Sequence, residues 1–205
     1  MKKIVLLAAA LLLAAYSCAY ADNIVLVGPD KSGGPSVLEA ISNRASAPQQ
    51  NFTDEELTSK ELSTILWAAT GKNREPRGWT IPLAKGLDPY VSVYVLLKSG
   101  GYLYDWDKNT LKQITTEAKV LNRSVGQDFA KTAPCILVFV SNGTMMIENF
   151  NYIAAGSMSQ NVYLAAQAMD LKARFIASFN KTNIESSLML SPAKTILGVM
   201  VVGRQ

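Results

Sequence analysis

Glu61-Leu-Ser-Thr-Ile-Leu-Trp-Ala-Ala-Thr-Gly71, followed by Asn73-Arg74 and a Pro82 turn that feeds residues 91–98, is the stretch on which the fold turns. Leu62, Ile65, Leu66 and Ala69 fall at i, i+3, i+4 and i+7, one apolar face of a helix, and Gly71 closes it. Thr58 or Ser59 is the N-cap, with Glu61 placed for a capping interaction. Beyond the turn, Val91, Val93 and Val95 alternate as a strand. Periodicity alone makes the first element a core helix and assigns it no chemistry.

Working outward, Ser99-Gly100-Gly101 turns the chain into a returning strand at 102–105, and 111–114 adds a third strand, so this part reads as a meander. Before the anchor, a short helix from Ser36 ends near Arg44 with Val37, Leu38 and Ile41 expected inward. After the meander, 116–125 reads as helix, 135–140 as a buried strand, and 150–171 as a long apolar helix. Residues 173–177 form a strand, Asn180 or Thr182 caps a helix running to Leu190, Pro192 stops it, and 196–202 is the last strand. Strands and helices do not alternate regularly, and no glycine-rich dinucleotide fingerprint follows a strand. The fold class is therefore α+β.

The chain has 205 residues. Lys2 and Lys3, the apolar run 4–15 and Ala19-Tyr20-Ala21 make residues 1–21 a secretory signal peptide cut after Ala21, with lipidation at Cys18 the competing reading. The remainder, 22–205, suits one domain, exported to the periplasm or beyond, and no later segment is apolar for long enough to span a bilayer. The signal holds two of the 20 basic residues and none of the 16 acidic ones, so the mature chain is nearly neutral. No basic patch interleaved with aromatics supports nucleic-acid binding. Once Cys18 is removed, Cys135 stands alone in an apolar strand and reads as a small hydrophobe. Histidine is absent, which excludes Ser-His-Asp and Cys-His catalysis and His-ligated metal, but leaves open redox chemistry carried by a cofactor.

Five pieces in order resemble the nitroreductase family, closest to its SagB-like dehydrogenase branch: Asn43-Arg-Ala-Ser46, the Glu61 block, Thr80-Ile-Pro-Leu-Ala-Lys-Gly-Leu-Asp-Pro89, Val125-Gly-Gln-Asp-Phe-Ala-Lys-Thr-Ala-Pro134, and Gly156 with Gln160-Asn161 in the long helix. The resemblance implies an FMN-binding α+β homodimer, with a central, mostly antiparallel sheet flanked by helices and the flavin at the subunit interface. It assigns Arg44 and Ser46 to the FMN phosphate, where a guanidinium beside a hydroxyl suits a doubly charged group. It assigns Leu83, Ala84 and Gly86 to the flavin ring through their backbone, and Gln127 or Ser178 to its polar edge. Arg204 is a further phosphate candidate near the C-terminus. Two departures stand out. Residues 47–51 lack the family's second basic residue, and Leu83 replaces its usual serine.

What the resemblance implies is an exported FMN-dependent oxidoreductase passing electrons from a reduced donor to a small organic acceptor. No catalytic side chain and no metal ligand is assigned. The departures support an alternative, a family member without flavin that has a binding or structural role in the cell envelope. A peptide-modifying azoline dehydrogenase, a third reading, fits export poorly.

Overall fold

The computed structural model describes residues 23–75, 78–82, 88–117, 120–143 and 148–205. The proposed signal segment and Leu83, Ala84 and Gly86 lie outside them. Seven strands form one sheet: β1 (Ile24–Val25), β2 (Val91–Leu97), β3 (Gly100–Asp105), β4 (Thr110–Thr115), β5 (Cys135–Ser141), β6 (Lys172–Ile176) and β7 (Ile196–Gly203). Their spatial order is β1-β4-β3-β2-β5-β7-β6, and every pairing is antiparallel. The meander read from residues 91–115 is β2-β3-β4.

Strand β5 is buried along its whole length, and its period-2 alternation divides the core in two. Cys135, Leu137 and Phe139 face one layer, made by α2 (Ser59–Thr70) and α5 (Glu148–Ala168). Ile136, Val138 and Val140 face the other, where α3 (Val120–Arg123), α4 (Asp128–Lys131) and α6 (Lys181–Ser187) pack. A central strand covered on both sides reads as a continuous apolar run, which is why 135–140 was legible. Among the described residues no helix is long and apolar enough to cross a membrane.

Helix α2 starts on a full capping box: Thr58 Oγ1 accepts from Glu61 N at 3.2 Å, and Glu61 Oε2 accepts from Thr58 N at 2.8 Å. Gly71 ends it for a reason that periodicity does not show. Its φ of −77° suits any residue, but an added Cβ would lie 2.3 Å from Trp67 Cδ1, so a close approach excludes a side chain.

Two expectations are corrected. In α1 (Val37–Asn43), Ala40 faces the protein, while Val37, Leu38 and Ile41 are 70%, 78% and 50% exposed. A seven-residue helix with apolar residues on several faces has no periodicity that selects one, and packing against α5 selects the small alanine. The helix expected over 116–125 is reduced to α3, because Ser124 Oγ turns back to Val120 O and Val125 pairs with Phe179 as a β-bridge.

Candidate functional site

The sheet edge at β6 gathers most of the residues singled out by sequence. Arg44 is the C-cap of α1, and Ser46 follows in the segment that runs along this edge. Ala47 N donates to Ala173 O at 2.8 Å, closing the edge from the backbone side. Further along, Gln205 Nε2 donates to Pro48 O and Gln50 O, and Thr53 N donates to Arg204 O. The polar stretch 47–53 is thereby fastened to the ends of β6 and β7.

Arg44 and Ser46 meet at one side chain of α5. The Arg44 guanidinium lies over the Tyr163 ring, 5.1 Å from its centre, and Ser46 Oγ is 3.0 Å from Tyr163 Oη. Tyr163 Oη also accepts the Phe175 N–H of β6 at 2.8 Å. Arg44 has no carboxylate within ion-pair distance among the described residues, which leaves a half-buried positive charge beside a hydroxyl. That donor set is chemically matched to a phosphate. On the other side of the segment, Arg174 Nη1 donates to Ala47 O and its guanidinium stacks at 5.5 Å on Phe129. The missing basic residue of 47–51 thus has a cation beside it in space, brought from β6.

Gln127 and Ser178, about 50 residues apart in sequence, are also brought together. Gly126 N donates to Ser178 O at 3.2 Å, Asn180 N donates to Ser124 O at 2.9 Å, and Val125 and Phe179 form the bridge between them. Gly126 packs closely there, since an added Cβ would sit 3.0 Å from Ser178 Oγ. Gln127 Oε1 is buried with no hydrogen-bond partner among the described residues, an acceptor at the position where a flavin edge is expected. Ser178 follows Phe175 by three residues, roughly 10 Å along extended chain. Phe175 exposes 41% of its surface.

The turn at Thr80 is held by Asn161, whose Nδ2 donates to Ala68 O and Thr80 O at 3.0 Å each. Thr70 Oγ1 and Thr80 Oγ1 are buried without partners among the described residues. Arg204, the further phosphate candidate, has carboxylate partners. Its Nη2 donates to Glu61 Oε1 and its Nη1 lies 3.3 Å from Glu55, so the guanidinium faces the N-terminus of α2. Cys135 is wholly buried, and burial pushes its thiol up to about 12, which keeps it an unreactive thiol.

Tyr163, Arg174 and Asn161 are the residues that reading the sequence missed as parts of this arrangement. Asn161 lies inside a recognised motif, but Tyr163 is two positions on, and Arg174 sits in a strand whose pattern gives it no role. No local pattern marks either of them.

A family model described as the Nitroreductase family matches residues 41–204. A protein of Methanocaldococcus jannaschii described as a nitroreductase is 28% identical over 171 residues, covering 76% of this chain and 85% of its own length. A crystal structure from Ralstonia eutropha, also described as a nitroreductase, is 31% identical with a TM-score of 0.80 and 89% of each chain covered. One from Desulfovibrio desulfuricans, in complex with FMN, shares the fold at 21% identity and a TM-score of 0.60, covering 84% of this chain and 87% of that one.

Proposed function

Since this chain belongs to the Nitroreductase family, we propose that it is an FMN-dependent oxidoreductase that passes electrons from a reduced donor to a small organic acceptor. The observation that carries this reading is the meeting of Arg44 and Ser46 at Tyr163, with the guanidinium free of carboxylates and a hydroxyl beside it. Bound FMN supplies the hydride and electron transfer. The chain's own residues bind and orient. Arg44 offers paired donors and a full charge to the phosphate, Ser46 adds a hydroxyl, and the buried Gln127 Oε1 accepts from a polar N–H at the ring edge, with Ser178 next to it. Leu83, Ala84 and Gly86 are proposed to meet the ring through their backbone. Arg204, engaged by Glu61 and Glu55, is assigned to stability instead of the phosphate.

The same reading includes export, with residues 1–21 removed, and a homodimer of the SagB-like branch. Support for the dimer comes from the apolar surface that α1 leaves open and from α5, where Tyr152, Ile153, Gly156 and Gln160 are exposed on the helix that α1 packs against. Light scattering that finds a monomer at micromolar concentration would refute that part.

The test of function is the visible absorbance of the purified protein, with and without added FMN. A protein that FMN neither colours nor stabilises against heat would sink the enzyme reading. If FMN binds, Arg44→Ala should weaken it by about 1.5–3 kcal/mol, the size of a charge-assisted hydrogen bond. Unchanged affinity would refute the phosphate assignment. The flavin-free alternative draws on specific features: residues 47–51 carry no cation, and Arg204 faces carboxylates.

A further inference from the structure

We propose that Tyr163 is the positioning residue of the phosphate-binding end, setting the direction in which Ser46 donates its proton; this rests on the FMN reading above. Tyr163 is buried, so its hydroxyl needs partners within the protein. One lone pair is taken by the Phe175 N–H at 2.8 Å, a group that can only donate. The remaining neighbour is Ser46 Oγ at 3.0 Å, and either oxygen can be the donor there.

If Ser46 donated, the Tyr163 proton would have no acceptor among the described residues, a cost that a largely buried hydroxyl avoids. The arrangement that satisfies every group has Tyr163 donating to Ser46. Ser46 then keeps its own proton for an outside acceptor. An anion is the acceptor the surroundings favour, because the Arg44 guanidinium is parked over the same tyrosine ring, 5.1 Å from its centre. One side chain on α5 thus orients the hydroxyl and places the cation, while fixing both to the edge of β6. Tyr163 need not touch the ligand to do so.

Tyr163→Phe keeps the ring beneath Arg44 and removes both bonds of the hydroxyl, to Ser46 and to the Phe175 N–H, and the riboflavin titration separates the relay from the loss of the second. Purified wild type, Tyr163→Phe, Ser46→Ala and the double variant are titrated with FMN and with riboflavin, which lacks the phosphate, by flavin fluorescence. Wild type should prefer FMN. Tyr163→Phe should lower FMN affinity about fivefold, the size of one neutral hydrogen bond, and leave riboflavin affinity within about twofold. In the Ser46→Ala background the tyrosine change should lower FMN affinity by less than about twofold. Equal losses for both flavins would mean that Tyr163 only supports the fold, and would overturn the assignment. So would an unchanged FMN preference, or losses that add in the double variant. A wild type that binds FMN no better than riboflavin would instead sink the phosphate site itself, before any variant is compared.

Discussion

Replacing Arg204 with methionine separates the role that the resemblance implies from the one its neighbours dictate. Methionine keeps an unbranched apolar stem and removes the charge. In the folded protein the guanidinium meets Glu61 and Glu55, with the Arg204 side chain 28% exposed and that of Glu61 15% exposed. Such a pair lies between the surface case, worth about 0–1 kcal/mol, and the buried case, where removing one partner costs about 3–5 kcal/mol. Glu61 retains its bonds from Thr58, which moderates the loss, so about 2 kcal/mol is expected. For a domain of this size that corresponds to a melting point lower by roughly 4–8 °C. Urea unfolding of Arg204→Met, Glu61→Gln and the double variant measures it, and the cycle should show a coupling of about 1 kcal/mol or more. FMN affinity should stay within about twofold of wild type. Stability within about 0.5 kcal/mol of wild type, together with a tenfold loss of FMN affinity, would refute the reasoning and return Arg204 to the phosphate.

Two further outcomes follow from packing and charge. Gly71→Ala places a Cβ 2.3 Å from Trp67 Cδ1 and 2.7 Å from Trp67 O, so it should destabilise by about 1–3 kcal/mol in chemical unfolding despite an ordinary φ. A neutral result would show that the helix end relaxes freely. At Asp105, burial raises the carboxyl pKa, but the Lys112 ammonium at 2.7 Å and the backbone N–H groups of Lys108 and Asp107 outweigh it and hold it below the usual value. A depressed folded value means that the stabilisation is whole above the unfolded pKa of about 3.9 and disappears as pH falls through the folded one. Asp105→Asn should therefore cost about 1 kcal/mol near pH 7, and the gap from wild type should narrow below about pH 4. A gap independent of pH would contradict the charge argument.

The elements most legible in the sequence are those whose pattern reports one dominant contact. The continuous apolar run of β5 announces a strand covered on both faces, and the Thr58–Glu61 spacing announces a capping box because both partners lie within one helical turn. Helix α1 was misjudged at Val37, Leu38 and Ile41 because apolar character reports where water is unfavourable, while the occupant of the inward face is chosen by a helix more than 100 residues away. At the site, Arg44 and Ser46 were legible through a motif of neighbouring residues. Their support was not, since Tyr163 reaches Ser46 across 117 positions.

Local pattern was enough for the α+β class, the anchor helix with its cap, the buried strand, and which residues to suspect at a phosphate. Each of these depends on interactions within a turn or on a period of 2 or 3.6 residues. Which charges are free and which are engaged came from the packing of distant segments. It left Arg44 without a carboxylate among the described residues, turned Arg204 onto Glu61 and Glu55, brought Arg174 to the loop that lacks a cation, and set Tyr163 behind Ser46. Coulomb attraction and hydrogen bonding act over a few ångströms of space, whatever the separation along the chain. Whether a side chain binds a ligand or a neighbour is therefore settled by the packing that brings distant segments together.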